Sequence, residues 1–231
     1  MTNNNKYQKR LGLFLDAATP LFYIAVKDLE NETIVERYYN HHELKGEALT
    51  SVVKEIFDEN HFNVHELAFL CTTKGPGSLT GLRIAMSLLK TMAQILKVPI
   101  VCIPTLYALE NSFTTNESTE NKKKIITCLM ARKNCYFVRF FGNKDDAFKQ
   151  ISTKMLCEKA KDVNILLWPS GSVVVDDCDK QRVNSVIVKL SPEVIFKLSE
   201  LKCEEKEYVN YIECQPEYAG KSVAEKNFEN K

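Results

Sequence analysis

Lys74-Gly75-Pro76-Gly77-Ser78-Leu79-Thr80-Gly81-Leu82-Arg83 is the stretch of this chain that says most about its fold. An apolar run, Leu67 to Cys71, leads into it, and Thr80 to Leu96 leaves it with apolar residues at helical spacing. Glycines between a strand and a helix permit positive φ and close backbone approach, and the N–H groups of the helix's first turn form a natural anion site. Spacing excludes three known uses of such a loop. No Lys-Ser or Lys-Thr follows a glycine as a Walker loop requires. Thr80 stands where a dinucleotide fingerprint has its third glycine, and no acidic residue stands out as a ribose partner. The Gly-x-Ser-x-Gly spacing of a nucleophile elbow is missing, which makes Ser78 a poor nucleophile. For Gly75, Pro76, Gly77, Ser78, Thr80 and Gly81 two readings stay open, a structural tight turn and an anion site.

Upstream of the loop, Leu11 to Leu15 is stopped by Asp16, and Phe22 to Val26 follows across Thr19-Pro20, which predicts a buried hairpin. Ile34 to Tyr39 would complete an antiparallel meander. Leu44 to Phe57 has a helical period with Asn60 as C-cap candidate. Downstream, Val98 to Ile103 is a strand ended by Pro104. The order strand, helix, strand, helix, strand predicts an α/β crossover layout with helices on a mixed sheet. Asn111 to Lys124 is polar without an apolar period and reads as a loop between lobes, dividing the chain into 1–110 and 111–231. Beyond it, Ile125 to Met130, Cys135 to Phe141, Asn164 to Trp168 and Ser172 to Val175 read as strands and Pro192 to Lys202 as a helix. The charged tail from Glu204 is expected to fray or to order only against a partner.

A chain of 231 residues suits one domain or two small lobes. Thirty-one basic against thirty acidic residues leave a net charge of +1, so no global field draws nucleic acid. The eight cysteines are scattered without a Cys-x-x-Cys pair or a Cys/His cluster, which argues against a zinc site and against a disulfide framework. No apolar run is long enough for a signal peptide or a membrane span. Reduced cytoplasm is the expected compartment.

The string GPGSLTGLR, with its helix and the strand Pro99 to Leu106, resembles the GPGSFTGLR signature region of the TsaB (YeaZ) family. Leu13 to Thr19 resembles that family's opening strand, and Leu129 to Tyr136 its D-A-R-x-x-E-V-Y segment. Met130 replaces the aspartate there, Leu166 to Gly171 replaces a late L-L-V-G-D-G strand, and Pro216-Glu217-Tyr218-Ala219-Gly220 replaces P-x-Y-L-R. The resemblance implies a two-lobed actin-like, Hsp70-like ATPase fold on a ribonuclease-H-like sheet, paralogous to the catalytic subunit TsaD. It also implies a scaffold for threonylcarbamoyladenosine synthesis on tRNA that performs no chemistry itself. TsaD and the ATPase TsaE would be its partners, a homodimer would form in their absence, and tRNA would be met only through the complex. No catalytic residue, metal or cofactor of its own is implied, and the one place left open for a nucleotide is the interface with a partner. The catalytic paralogue's helical His-x-x-x-His metal pair finds only His61 and His65, in what reads as a loop. Asp16 is a vestigial nucleotide-site candidate by this resemblance, and by its own sequence a turn residue bonding nearby N–H groups.

On a helical wheel the apolar residues of Thr80 to Leu96 span roughly 200°, and those of Leu44 to Phe57 roughly 220°, more than one sheet face needs. Either the two helices pack together on the sheet or a second molecule covers them. The resemblance implies the second, with Leu49, Val52, Val53, Ile56, Ile84, Leu88, Lys90 and Ile95 nearest the partner and Arg83 at the rim. The competing expectation is a free-standing ATPase or phosphotransferase of the same superfold, with Asp16 and the glycine loop touching nucleotide.

Overall fold

The computed structural model describes residues 8–41, 43, 46–113, 125–142, 147–172 and 183–217. It is a mixed α/β structure built on two five-stranded mixed sheets. The first is ordered β3-β2-β1-β4-β5, from Ile34–Asn40, Leu21–Asp28, Leu11–Asp16, Leu67–Gly75 and Ile100–Pro104. β1 runs antiparallel to β2 and parallel to β4, so the meander is followed by two crossovers. Helices α1 (Leu49–Glu59) and α2 (Leu79–Leu96) make those crossovers. The second sheet is ordered β10-β9-β6-β7-β8, from Asn184–Val188, Ile165–Pro169, Ile125–Arg132, Cys135–Phe140 and Lys149–Ser152.

β1 is buried along its whole length because both faces of the first sheet are covered. Its alternation sorts the residues: Leu11, Leu13 and Leu15 pack with α1 and α2, whereas Phe14 points to the opposite face. That opposite face is covered by α3 (Thr105–Phe113) and α5 (Pro192–Glu204), whose Leu106, Leu109, Ile195 and Phe196 meet Phe14, Phe69 and Val101. Leu129 and Phe137 of the second sheet join the same cluster. Buried Glu110 and Arg139, 3.2 Å apart, tie α3 to β7. The other face of the second sheet packs Leu156 and Ala160 of α4 (Thr153–Ala160) around Trp168 and Tyr136.

The differences from the sequence expectations have local causes. The first helix starts at Leu49 after a single 3-10 turn, Gly46–Ala48, and Asn60 ends it, with its amide and side chain both bonded to the Ile56 carbonyl. Residues 111–113, expected in the polar loop, finish α3, because Leu106 and Leu109 give Thr105–Phe113 a buried face. Residues 114–124, most of the strand expected at Ser172 to Val175, and the tail from Tyr218 lie outside the described residues. β8, α4 and β10 are not expected from the sequence, because β8 has a single apolar residue and α4 and β10 are too short to show a period. Beyond the second sheet the chain returns to the first: α5 covers its face, and Val209 pairs with Ile100. Residues 192–217 are thus packed with the first sheet, although a division at 110 assigns them to the second lobe.

Candidate functional site

Asp16 ends β1 at the centre of the first sheet and is fully buried. Its carboxylate accepts from the Ala18 amide (3.2 Å), the Thr19 amide (3.3 Å), the Thr19 hydroxyl (2.6 Å) and the Thr73 hydroxyl of β4. The neighbouring Thr72 hydroxyl donates to the Leu15 carbonyl at 2.8 Å. Four donors around an acceptor-only group make Asp16 the knot that fastens the β1–β2 turn to the end of β4. No side of this carboxylate faces open solvent, and every described hydrogen bond it accepts comes from the chain itself.

The glycine loop sits directly on that turn. The Ser78 amide donates to the Ala18 carbonyl at 2.9 Å, and the Ser78 side chain caps α2 by accepting from the Gly81 amide at 3.2 Å. A Cβ on Gly77 would come 2.5 Å from the Ala18 oxygen, and one on Gly81 would overlap the Ala17 carbonyl oxygen and lie 2.7 Å from its carbon. The positive end of α2 therefore faces the backbone carbonyls of Ala17 and Ala18. Glu217 closes the loop from the other side. Its amide donates to the Lys74 carbonyl at 2.6 Å, and its carboxylate lies 3.4 Å from the Lys74 ammonium. The close-approach requirement read from the glycines is thus met by contact between segments of the chain itself.

Burial pushes the Asp16 carboxyl above its usual range, and the four hydrogen bonds pull it only part of the way back. A carboxyl whose folded value is raised adds stability fully below the unfolded value, and that contribution is lost as pH rises through the folded value. Asp16→Asn does not titrate at this position. The wild type's stability relative to Asp16→Asn is therefore expected to fall in urea titrations as pH rises from the usual carboxylate range upward. A constant difference over that rise would mean that the carboxyl ionises alike in the folded and unfolded chains.

The expected partner residues separate into two groups. Leu49, Val52, Val53 and Ile56 are 1%, 6%, 5% and 0% exposed and belong to the core between α1 and the first sheet. They were expected nearest the partner; the structure buries all four, because the sheet itself takes up much of α1's wide apolar arc, and of them Leu49 and Val53 border grooves shared with α2. Val53→Glu would consequently disrupt the fold and cannot test association. On α2, Ile84 and Leu88 are half-buried and Arg83 and Ile95 exposed, with Ile95 at 69%. Arg83, Ile84 and Leu88 line a groove of about 820 Å³ with Thr50 of α1. Leu88 and Met92 border a second one of about 750 Å³ with Val53, Lys54 and Phe62. Ile95 follows Leu88 by seven residues and continues the same stripe. Lys90 is turned the other way, close enough to Cys214 to act on its thiol.

His61 lies in the left-handed region (φ 55°) just past α1, and His65 is in the 3-10 turn Val64–Glu66 capped by Asn63. Among the described residues no three His, Cys, Asp or Glu side chains are placed to hold a metal ion. No described helix is long and apolar enough to cross a membrane. Six described cysteines are free thiols, whereas Cys157 is disulfide-bonded, a bridge that the scattered spacing of the cysteines does not announce. The sequence reading did not find the return of residues 209–217 to β5 and the glycine loop. A contact between positions 74 and 217 leaves no local pattern to read.

Residues 39–155 match the family model described as TsaD, tRNA N6-adenosine threonylcarbamoyltransferase. The tRNA threonylcarbamoyladenosine biosynthesis protein TsaB of Buchnera aphidicola subsp. Acyrthosiphon pisum (strain APS) is 29% identical over 108 residues, covering 47% of this chain and 48% of that protein. TsaB of Buchnera aphidicola subsp. Baizongia pistaciae (strain Bp) is 27% identical over 96 residues, or 41% and 42%. The aligned part thus spans about half the length of these curated relatives or less. YeaZ from Pseudomonas aeruginosa superposes with a TM-score of 0.67 at 15% identity, over 91% of this chain and 100% of that one. A second Pseudomonas aeruginosa structure, described as similar to peptidase YEAZ, gives 0.68 over 90% and 99%. These structural likenesses establish the two-sheet fold.

Proposed function

Because the chain belongs to the TsaD and TsaB (YeaZ) family, we propose that it serves threonylcarbamoyladenosine synthesis on tRNA as an accessory subunit that binds a TsaD-type catalytic subunit. The observation that carries the proposal is the stripe Ile84, Leu88 and Ile95 on α2, beside grooves that α1 borders but does not fill. A stripe packed inward at its base and open along its top suits a helical partner laid against α1 and α2. The partner's chemistry follows from the lining: an apolar seam for Leu88 and Met92, with polar contacts at the rim for Arg83, Thr50 and Lys54. Within the proposal, chemistry belongs to the partner, TsaE supplies ATPase activity, and the compartment is the cytoplasm. A net charge of +1 fits a subunit that meets tRNA only through the assembly. The same face would pair with a second copy of the chain when the catalytic subunit is absent.

Leu88→Glu tests the proposal, since Leu88 is half-buried at the groove and its replacement can turn a carboxylate outward. The variant is expected to keep the wild-type urea midpoint and to bind the cognate TsaD about 100-fold more weakly, a loss of about 2.7 kcal/mol. Size-exclusion with light scattering and a binding titration would measure both, with ATP hydrolysis followed in the same fractions. Unchanged affinity for TsaD, or ATP turnover by the chain alone, would overturn the proposal.

A further inference from the structure

Two thiols meet where the end of the described chain crosses the first sheet. The sulfurs of Cys102, on β5, and Cys214, in the segment after α5, lie 3.8 Å apart although 112 positions separate them in sequence. Both are free thiols. They are held in different ways. Cys102 belongs to a strand paired with β4 along its length. Cys214 belongs to a strap that meets β5 through the reciprocal Ile100–Val209 bonds (3.0 and 2.9 Å) and next bonds the fold at Lys74, through the Glu217 amide. Between those two points the described backbone bonds stay inside the strap: the Cys214 amide donates to the Asn210 carbonyl at 3.1 Å, the Ile212 and Glu213 amides to the Asn210 side chain, and the Asn210 amide to the Glu213 carboxylate. Cys214 is the plug of the strap, 1% exposed in the core beneath α2, with Val209 and Tyr211 packed beside it.

The two sulfurs are chemically unequal. Their shared hydrogen bond, with burial, pushes the Cys102 thiol up. The same hydrogen bond and the Lys90 ammonium hold the Cys214 thiol down. Burial pushes the Cys71 and Cys128 thiols up, and at Cys71 a Ser199 hydrogen bond opposes the rise while the neighbouring Cys203 adds to it.

We infer that Cys102 and Cys214 form an oxidation site, a dithiol that hydrogen peroxide converts to a disulfide clasping residues 209–217 to β5 and so against the Lys74–Gly77 loop. The Cys214 thiolate attacks one peroxide oxygen, the O–O bond breaks, and hydroxide leaves and takes up a proton. The resulting sulfenic sulfur is attacked by the Cys102 sulfur. The S–O bond breaks, and water departs with the remaining thiol proton. In sum, two thiols and one peroxide give one disulfide and two waters. The sulfurs must close by about 1.8 Å to reach bonding distance, a movement open to a strap whose described backbone bonds to the rest of the fold lie at Val209 and Glu217. The clasp is independent of any role in tRNA modification. It acts on the loop because Glu217, three residues beyond Cys214, bonds the Lys74 backbone through its amide and pairs its carboxylate with the Lys74 ammonium.

The full chain would be treated with a small excess of hydrogen peroxide, blocked with N-ethylmaleimide and digested without reduction for mass spectrometry. The expected product is a bridged peptide pair joining Cys102 to Cys214, two mass units lighter than the separate peptides, that disappears in Cys102→Ala and in Cys214→Ser. Cys102→Ala keeps the test decisive if Cys214→Ser fails to fold, because Cys102 is only half-buried. Hydrogen exchange is expected to slow about tenfold or more at 74–77 and 209–217 on oxidation, and to return to its starting rate with dithiothreitol. Recovery of both cysteines as alkylated thiols, while Cys135 or Cys203 oxidises, would overturn the site. A bridge that forms with unchanged exchange at 74–77 would overturn the clasp.

Discussion

Gly81→Ala is expected to lose about 3 kcal/mol of stability or more, although α-helix propensity alone would have it gain about 1 kcal/mol. Gly81 lies in the first turn of α2, where alanine normally serves better than glycine. The added methyl, however, would overlap the Ala17 carbonyl oxygen and come 2.7 Å from its carbon. Those are backbone atoms of a turn tied to Asp16, so no side-chain rotation relieves the overlap. Relief requires α2 to lift away from the β1–β2 turn, which strains or breaks the 2.9 Å bond from Ser78 to Ala18. Gly142→Ala is the control. Gly142 has φ +76° with nothing within 4 Å of the added methyl, so only the left-handed backbone penalises the change, by about 1 kcal/mol. Urea midpoints of the two variants order the effects. A Gly81→Ala variant as stable as the wild type would show that the loop does not press on the turn.

Asp16→Ala is expected to cost about 3 kcal/mol, again as a stability effect. Of the four donors it would strand, only the Thr19 hydroxyl has another acceptor among the described residues, the Leu21 carbonyl at 3.2 Å. The Ala18 and Thr19 amides and the Thr73 hydroxyl would lose their partner in a site water enters poorly, at about 1 kcal/mol or more each. A thermal melt or urea titration measures the loss. This changes what the substitution can test. Lower activity in Asp16→Ala reports a loosened β1–β2 turn as readily as a missing ligand contact, so Leu88→Glu, outside that knot, is the cleaner probe of function. An Asp16→Ala variant with wild-type stability would mean that the turn stands without its carboxylate.

Much of the first sheet is legible in local pattern. Leu11 to Asp16, Phe22 to Val26 and Ile34 to Tyr39 announce a meander because apolar strands broken by turn residues have few alternatives. The α2 helix shows for the same reason: its period runs over 18 residues and Ser78 caps it. The second sheet was only partly legible, because β8 exposes three of its four side chains and β10 has only the short run Val186, Ile187 and Val188, too brief to show a period.

The sequence by itself determined the strand–glycine loop–helix unit, the meander before it and the family resemblance, since each rests on neighbours in the chain whose preferences add. Tertiary structure alone decided which apolar residues of α1 and α2 remain available to a partner. A helical wheel gives the width of an apolar arc but not how much of it the fold will cover, and here Leu49, Val52, Val53 and Ile56 are buried in the core, with only Leu49 and Val53 bordering a groove, while Ile84 and Leu88 stay half-buried on a groove wall. It alone also brought Glu217 to Lys74 and Cys214 to Cys102. Those contacts join positions more than a hundred residues apart, and they exist because α5 packs its Phe196 against Phe69 on the first sheet and carries the chain back across it.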